Sequence, residues 1–284
     1  MAIIGIDLGG TNVRVGLVEE NRLIKVESKL INNKGTQEEI VNDIFNIINK
    51  FEIDKIEGIG VGVPGVVDLK NGIVYEVQNI PSWKEVRLTE ILNNKYNIPV
   101  YINNDANCFA AGEKYFGKGQ EYNNVVGLIV GTGLGAGIIM NGKLYSGSNC
   151  GAGEFGMIPF KGSILENYCS GQFFELNYGK SGSDIYKEAL MGDTTAQKIF
   201  YEFGLNLGEA IKIILYSVDP DIIILGGSVR KAFNLFQSSM NESINSFAYS
   251  KAKNNLKIAV SEMENIAILG AAALYMDAQL SNKF

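Results

Sequence analysis

Short apolar runs alternate with amphipathic stretches along the first third of the chain. "AIIGIDL" is an apolar run of strand length, and "VRVGLVEENRLIKVESKL" predicts a hairpin turning at Glu20–Asn21. In "TQEEIVNDIFNIINKF", Ile40, Ile44, Ile47, Ile48 and Phe51 recur at helical spacing. "IEGIGVGVPG" reads as a strand ending in a glycine-proline turn, "VRLTEILNNKY" as a helix and "IPVYINN" as a strand. "DANCFAAGEKYFG" predicts a helix with Asp105 as its N-cap.

A second strand-and-hairpin run starts at Asn124 with "VVGLIVGTGLGAGIIMNGKLY". Laid beneath "IIGIDLGGTNVRVGLVEENRLI", it brings Gly127 to Gly5 and Gly131 to Gly9, which predicts a duplicated topology. A long helix, "TTAQKIFYEFGLNLGEAIKIILYSV", then a strand, "DIIILGGS", and two further helices complete the pattern. Strands alternating with helices give an α/β class with parallel sheet. The polar, glycine-rich "GKGQEYNN" marks a boundary between domains at 1–117 and 118–263, with the last helix, about 264–284, expected to pack back on the first.

Composition narrows the function. At 284 residues and 46% hydrophobic, the chain can form two cores, and disorder is excluded. A net charge of −6 with no basic block argues against nucleic acid or anionic membrane as partners. Val125 to Met140, the most apolar stretch, carries five glycines and falls short of the roughly 20 residues of a spanning helix. The N-terminus lacks the basic region of a signal peptide, so a cytoplasmic protein is expected. Cys108, Cys150 and Cys169 suit reduced structural thiols, and with no histidine in the chain a structural zinc site is not expected.

Three glycine-rich turns follow apolar strands. In "DLGGTN" (7–12), backbone N–H groups can face an anion, and Asp7 can hold Mg²⁺ through water. These six residues fit a tight turn without a ligand equally well. "VGTGLGAG" (130–137) matches G-x-G-x-x-A through Gly131, Gly133 and Ala136, but a strand follows where a dinucleotide site needs a helix. "LGGSV" (225–229) is the third, and together they favour a nucleotide. "INNDANCFAAGE" places Asn104 and Asp105 at a strand-to-helix junction, where α/β active sites form. Asp105 can take a proton from a substrate hydroxyl; a plain N-cap role also fits the local sequence. Glu154 in "GEFGMIP" and Glu166 in "SILENYCSGQ" can bind sugar hydroxyls, with the flanking glycines allowing close approach, or can be solvated loop residues.

The ordered set "DLGGTNVRVGLV", "GVGVPGVVD", "NNDANCFAAGE", "VVGLIVGTGLGAGIIMNGKLYSG", "GAGEFG", "LENYCSGQ" and "DPDIIILGGSV" resembles the ROK family of the actin/hexokinase-like superfamily. The resemblance implies a two-domain ribonuclease H-like fold with an inter-domain active-site cleft. It implies transfer of the ATP γ-phosphoryl, with Mg²⁺, to the 6-hydroxyl of a hexose or N-acylhexosamine. Asp105 would be the base, with Gly65, Asn79, Asn104, Glu154 and Glu166 as sugar ligands. Gly9, Gly10, Thr11, Thr132 and Gly133 would contact phosphates, with Gly226 and Gly227 flanking the adenosine. Dimerisation is common in the family, so a homodimer is expected. Met157 stands where the family commonly has a histidine, and "MIPFKGSI" replaces its cysteine-rich zinc motif. That points to a zinc-lacking variant resembling glucokinases and N-acetylmannosamine kinases, with glucose and N-acetylmannosamine as leading substrates. The alternative is a non-catalytic, sugar-sensing ROK protein without a DNA-binding domain, since the sequence enters its first strand at residue 2.

Overall fold

The computed structural model describes residues 1–77 and 79–281. Residue contacts divide the chain into two units: Met1–Glu121 with Gly137–Ala152 and a C-terminal segment from Met263, and Tyr122–Ala136 with Gly153–Glu262.

The first unit opens with β1 (Ala2–Leu8), β2 (Asn12–Glu19) and β3 (Arg22–Leu30). Glu20 and Asn21 both take positive φ, 47° and 63°, the two-residue turn whose twist suits a hairpin. Then come α1 (Gln37–Ile48), β4 (Gly58–Val63), the short β5 (Val66–Asp68), β6 (Ile73–Tyr75) and β7 (Glu85–Val86), α2 (Leu88–Tyr96), β8 (Val100–Asn104) and α3 (Asp105–Tyr115). The main sheet runs β3-β2-β1-β4-β8, with β1–β4 and β4–β8 parallel. Thr36 and Glu39 cap α1 reciprocally, and Ile40, Val41, Ile44, Ile47 and Ile48 bury its apolar face. β5, β6 and β7 form a separate small sheet that the pattern did not predict, because two- and three-residue strands carry too little periodicity.

The second unit begins with β9 (Val125–Val130) and β10 (Leu134–Met140); the division falls within β10, so β11 (Lys143–Tyr145) belongs to the first. Next are β12 (Pro159–Phe160), β13 (Ser163–Ile164), α4 (Glu166–Cys169), α5 (Gln172–Tyr178), α6 (Gly182–Leu190), α7 (Thr194–Val218), β14 (Ile222–Gly226), α8 (Phe233–Asn245), α9 (Ser250–Asn255) and β15 (Lys257–Val260). Phe173, Phe174, Phe200, Phe203 and Phe236 are all buried and pack ring against ring at centroid distances of 5.0–5.7 Å, mostly tilted or edge-on. The second sheet runs β11-β10-β9-β14-β15 and repeats the strand order of the first, as the internal similarity predicts.

The last helix, α10 (Ile266–Ser281), packs on β1, β4 and α3. Glycines make this possible. A Cβ on Gly5 would lie 2.2 Å from the Ile268 carbonyl oxygen, and one on Gly60 1.8 Å from that of Ala271. The expected division at 118–263 needs one correction: Gly137–Ala152 clusters with the first unit. A Cβ on Gly137 would sit 2.4 Å from the Ala106 carbonyl oxygen of α3, and Ser146 hydrogen-bonds Asn103. No helix among the described residues is long and apolar enough to cross a membrane.

Candidate active site

The parallel register aligns the carboxyl ends of three strands: Asp7 faces Gly62, and Gly62 faces Asn103. Beyond Asp7 the chain turns at once, with the Gly9 N–H donating to the Asn12 carbonyl at 2.8 Å. Gly10 lies against Asn79, whose Cβ is 2.2 Å from where a Cβ of residue 10 would be. Two predicted site residues therefore meet. Gly65, at φ 138°, makes the turn after β4, and Thr11 is exposed.

Asp7 has a partner the sequence reading missed. Arg14 donates to Asp7 Oδ2 through Nε at 3.0 Å and Nη2 at 2.7 Å, and reaches Asn265 Oδ1 with Nη1 at 3.3 Å. A signal existed: folding the β1–β2 hairpin about its turn sets Asp7 opposite Arg14. Among the described residues Oδ1 of Asp7 carries no hydrogen bond.

At the β8–α3 junction the expected cap is corrected. Asn104 is the N-cap, its Oδ1 accepting from the Asn107 N–H at 2.8 Å, and Asp105 is the first helical residue. β8 runs through Asn104 and the helix follows at once, so α3 starts one residue earlier than an Asp105 cap would place it. Asn103 supports this junction from below. Its Oδ1 accepts from the Asn104 N–H, Asn107 Nδ2 and the Cys150 thiol, and its Nδ2 donates to Ser146. Freed from capping, Asp105 reaches solvent, with its Oδ1 accepting the Ala106 N–H at 2.8 Å. Burial by its surroundings and the Asp7 carboxylate raise its carboxyl above the ordinary value, against the Ala106 N–H. Three residues on, burial pushes the Cys108 thiol far up, so it is un-ionised. All three cysteines are buried thiols.

In the second unit, the turn after β9 closes on itself, with the Gly131 N–H donating to the Gly133 carbonyl at 3.0 Å. Glu166, half-buried at the start of α4, is bound to this turn. Its Oε2 accepts from the Leu134 N–H and its Oε1 from Gln172 Nε2, both at 2.9 Å. Gln172 was not foreseen. Glu154 is exposed and opens a 3₁₀ turn at Phe155–Met157. The nearby glycines let this loop lie against β10: Gly153, at φ 93°, would place a Cβ 2.1 Å from the Ala136 carbonyl oxygen, and Gly156 one 2.5 Å from that of Leu134. Met157 is exposed.

Gly131 and Thr132 also line a cavity of about 270 Å³, together with Phe174, Tyr186, Ser228 and Lys231. Gly226 ends β14, and Gly227, at φ 79°, abuts the Val130 carbonyl, turning the chain toward Ser228. Among the described residues no group of three or more His, Cys, Asp or Glu is placed to hold a metal ion.

The model of the ROK family matches residues 3–278. The chain belongs to the ROK family. An N-acetyl-D-glucosamine kinase of Vibrio parahaemolyticus is 31% identical, over 96% of this chain and 99% of that protein. A xylose repressor of Caldicellulosiruptor bescii is 30% identical, over 99% of this chain and 79% of that protein. Among solved structures, a ROK family glucokinase from Streptomyces griseus, in complex with glucose and AMPPNP, superimposes with a TM-score of 0.76 at 27% identity, covering 96% of this chain and 99% of that one. The ROK chain described here thus has the mixed α/β, actin/hexokinase-like fold.

Proposed function

We propose that this ROK protein phosphorylates a hexose or N-acylhexosamine at the 6-hydroxyl, using ATP. The observation that carries the reading is Asp105: a carboxylate released from capping by Asn104 at a strand end, with its pKa raised by desolvation and by Asp7. A base of that kind accepts the hydroxyl proton as the sugar oxygen attacks the γ-phosphorus. Sugar kinases among the relatives support the same reaction class.

In this reading Asn104 offers a sugar its amide N–H groups, because its carbonyl is engaged by Asn107. Glu154 and Glu166 accept from sugar hydroxyls, with Gly65 and Asn79 completing the sugar ligands. Backbone groups of Gly9, Gly10, Thr11, Thr132 and Gly133 hold the phosphates, and Gly226 and Gly227 flank the adenosine, leading into Ser228 of the cavity wall. Arg14 fixes one oxygen of Asp7 and leaves the other for a metal-bound water. Mg²⁺, when bound, would supply charge neutralisation for the transferring phosphoryl.

The xylose repressor among the relatives favours a second reading, a sugar-sensing regulator. A coupled ADP-release screen over glucose, mannose, N-acetylglucosamine and N-acetylmannosamine decides between them. Sugar-dependent ADP release is expected with at least one; binding of a sugar by calorimetry without turnover of any would establish the regulator instead.

A further inference from the structure

The segment between Glu154 and Glu166 contains a small hairpin, and its tip is fastened by one side chain. Pro159 pairs with Ile164 and Phe160 with Ser163, leaving Lys161 and Gly162 as a two-residue turn at φ 48° and 80°. Asparagine, aspartate or glycine normally fills the first position of such a turn, because a longer side chain is disfavoured at positive φ. A lysine is an uncommon choice there, and this one is held by what it touches.

Lys161 Nζ donates to Asn206 Oδ1 at 2.6 Å, and Asn206 is fully buried within α7. The same ammonium lies 5.3 Å from the Phe160 ring centre and 5.7 Å from that of Tyr168, distances at which a cation is attracted to a ring face. Those rings meet edge-on at 5.4 Å, and the Tyr168 hydroxyl donates to the Lys161 carbonyl at 3.0 Å. Both the side chain and the backbone of Lys161 are thereby held, to α7 and to α4.

The stem of the hairpin transmits this. Leu165 donates to the Ile158 carbonyl at 2.9 Å and directly precedes Glu166; the 3₁₀ turn at the other end directly follows Glu154. We propose that Lys161 is a positioning residue: it staples this hairpin to α7 and so sets the affinity of the Glu154–Glu166 pair for sugar. The second half of that statement rests on the sugar-ligand reading given above.

The test uses the full chain with three variants and a fourth in reserve. For Lys161→Met, hydrogen exchange over the peptide spanning Ile158–Glu166 should quicken at least tenfold. Its KM for glucose or N-acetylglucosamine should rise at least fivefold, with kcat and the KM for ATP within twofold of wild type. Lys161→Arg keeps a cation that stacks on rings and donates to Asn206, and should restore both readings. Exchange and sugar KM unchanged in Lys161→Met would overturn the staple. Glu154→Gln separates the two layers. If it leaves sugar KM unchanged, the sugar-ligand reading fails, while the exchange result still decides the staple. Should Lys161→Met not fold, Lys161→Gln carries the same readings.

Discussion

Burial and the neighbouring Asp7 push the Asp105 carboxyl up, while the Ala106 N–H pulls it down. Two consequences follow at the scale of this residue. As a general base it acts only when ionised, so kcat/KM should fall as the pH drops through a pKa above the ordinary carboxylate value of about 4. Asp105→Asn should lower kcat by about a thousandfold, within the usual range for a general base, while sugar affinity by calorimetry stays within tenfold. Near-native turnover in that variant would remove Asp105 from the base role. The sign for stability is opposite. With the folded pKa above the unfolded one, the native state binds the proton more tightly, so stability falls as pH rises through that window. Asp105→Asn should therefore melt no lower than wild type at pH 7, and its advantage should shrink as pH approaches 4. A variant that melts well below wild type at pH 7 would mean that the carboxylate contributes to stability.

Among the elements, α10 is the most demanding in its packing. It lies close enough to β1 and β4 that Gly5 and Gly60 have no room for a methyl group, and Gly270 would place a Cβ 2.0 Å from the Cys108 carbonyl oxygen. Backbone carbonyls cannot swing aside as side chains do, so overpacking here sits at the costly end of its range. Gly60→Ala should destabilise by about 3 kcal/mol, read as a lower urea midpoint with an unchanged slope. By comparison, Thr36→Ala, which removes one half of an exposed capping box, should cost about 1 kcal/mol. Equal effects from the two would refute the packing argument. The elements that carry this site were mostly legible in the chain. Their strand runs and helical spacings are local signals, and the turn at Glu20–Asn21 marks the β2–β3 hairpin. The β12–β13 hairpin was not legible, since two-residue strands show no period.

For the whole molecule, the two sheets share one strand order, and each presents glycine-rich turns at its strand ends. Activity is expected to disappear with EDTA and return with Mg²⁺, and to survive a zinc-selective chelator in excess Mg²⁺. Loss under that chelator, with stoichiometric zinc by elemental analysis, would contradict the zinc-lacking reading. A sugar or an ATP analogue at a hundredfold over its Kd should each stabilise the protein by about 2.7 kcal/mol, visible as a higher Tm. A ligand that leaves Tm unchanged at that concentration is not bound by the folded chain.

The sequence by itself determined the α/β class, the duplicated layout, the glycine turns and the strand-end carboxylate, because periodicity and turn chemistry are written within a few residues. The tertiary structure alone decided which of Asn104 and Asp105 caps α3, since that depends on where β8 stops pairing with β4. It alone gave Glu154 glycines that pack on β10, and joined Lys161 to Asn206 across 45 residues of chain. Such contacts depend on closing loops between distant segments, so no local pattern encodes them.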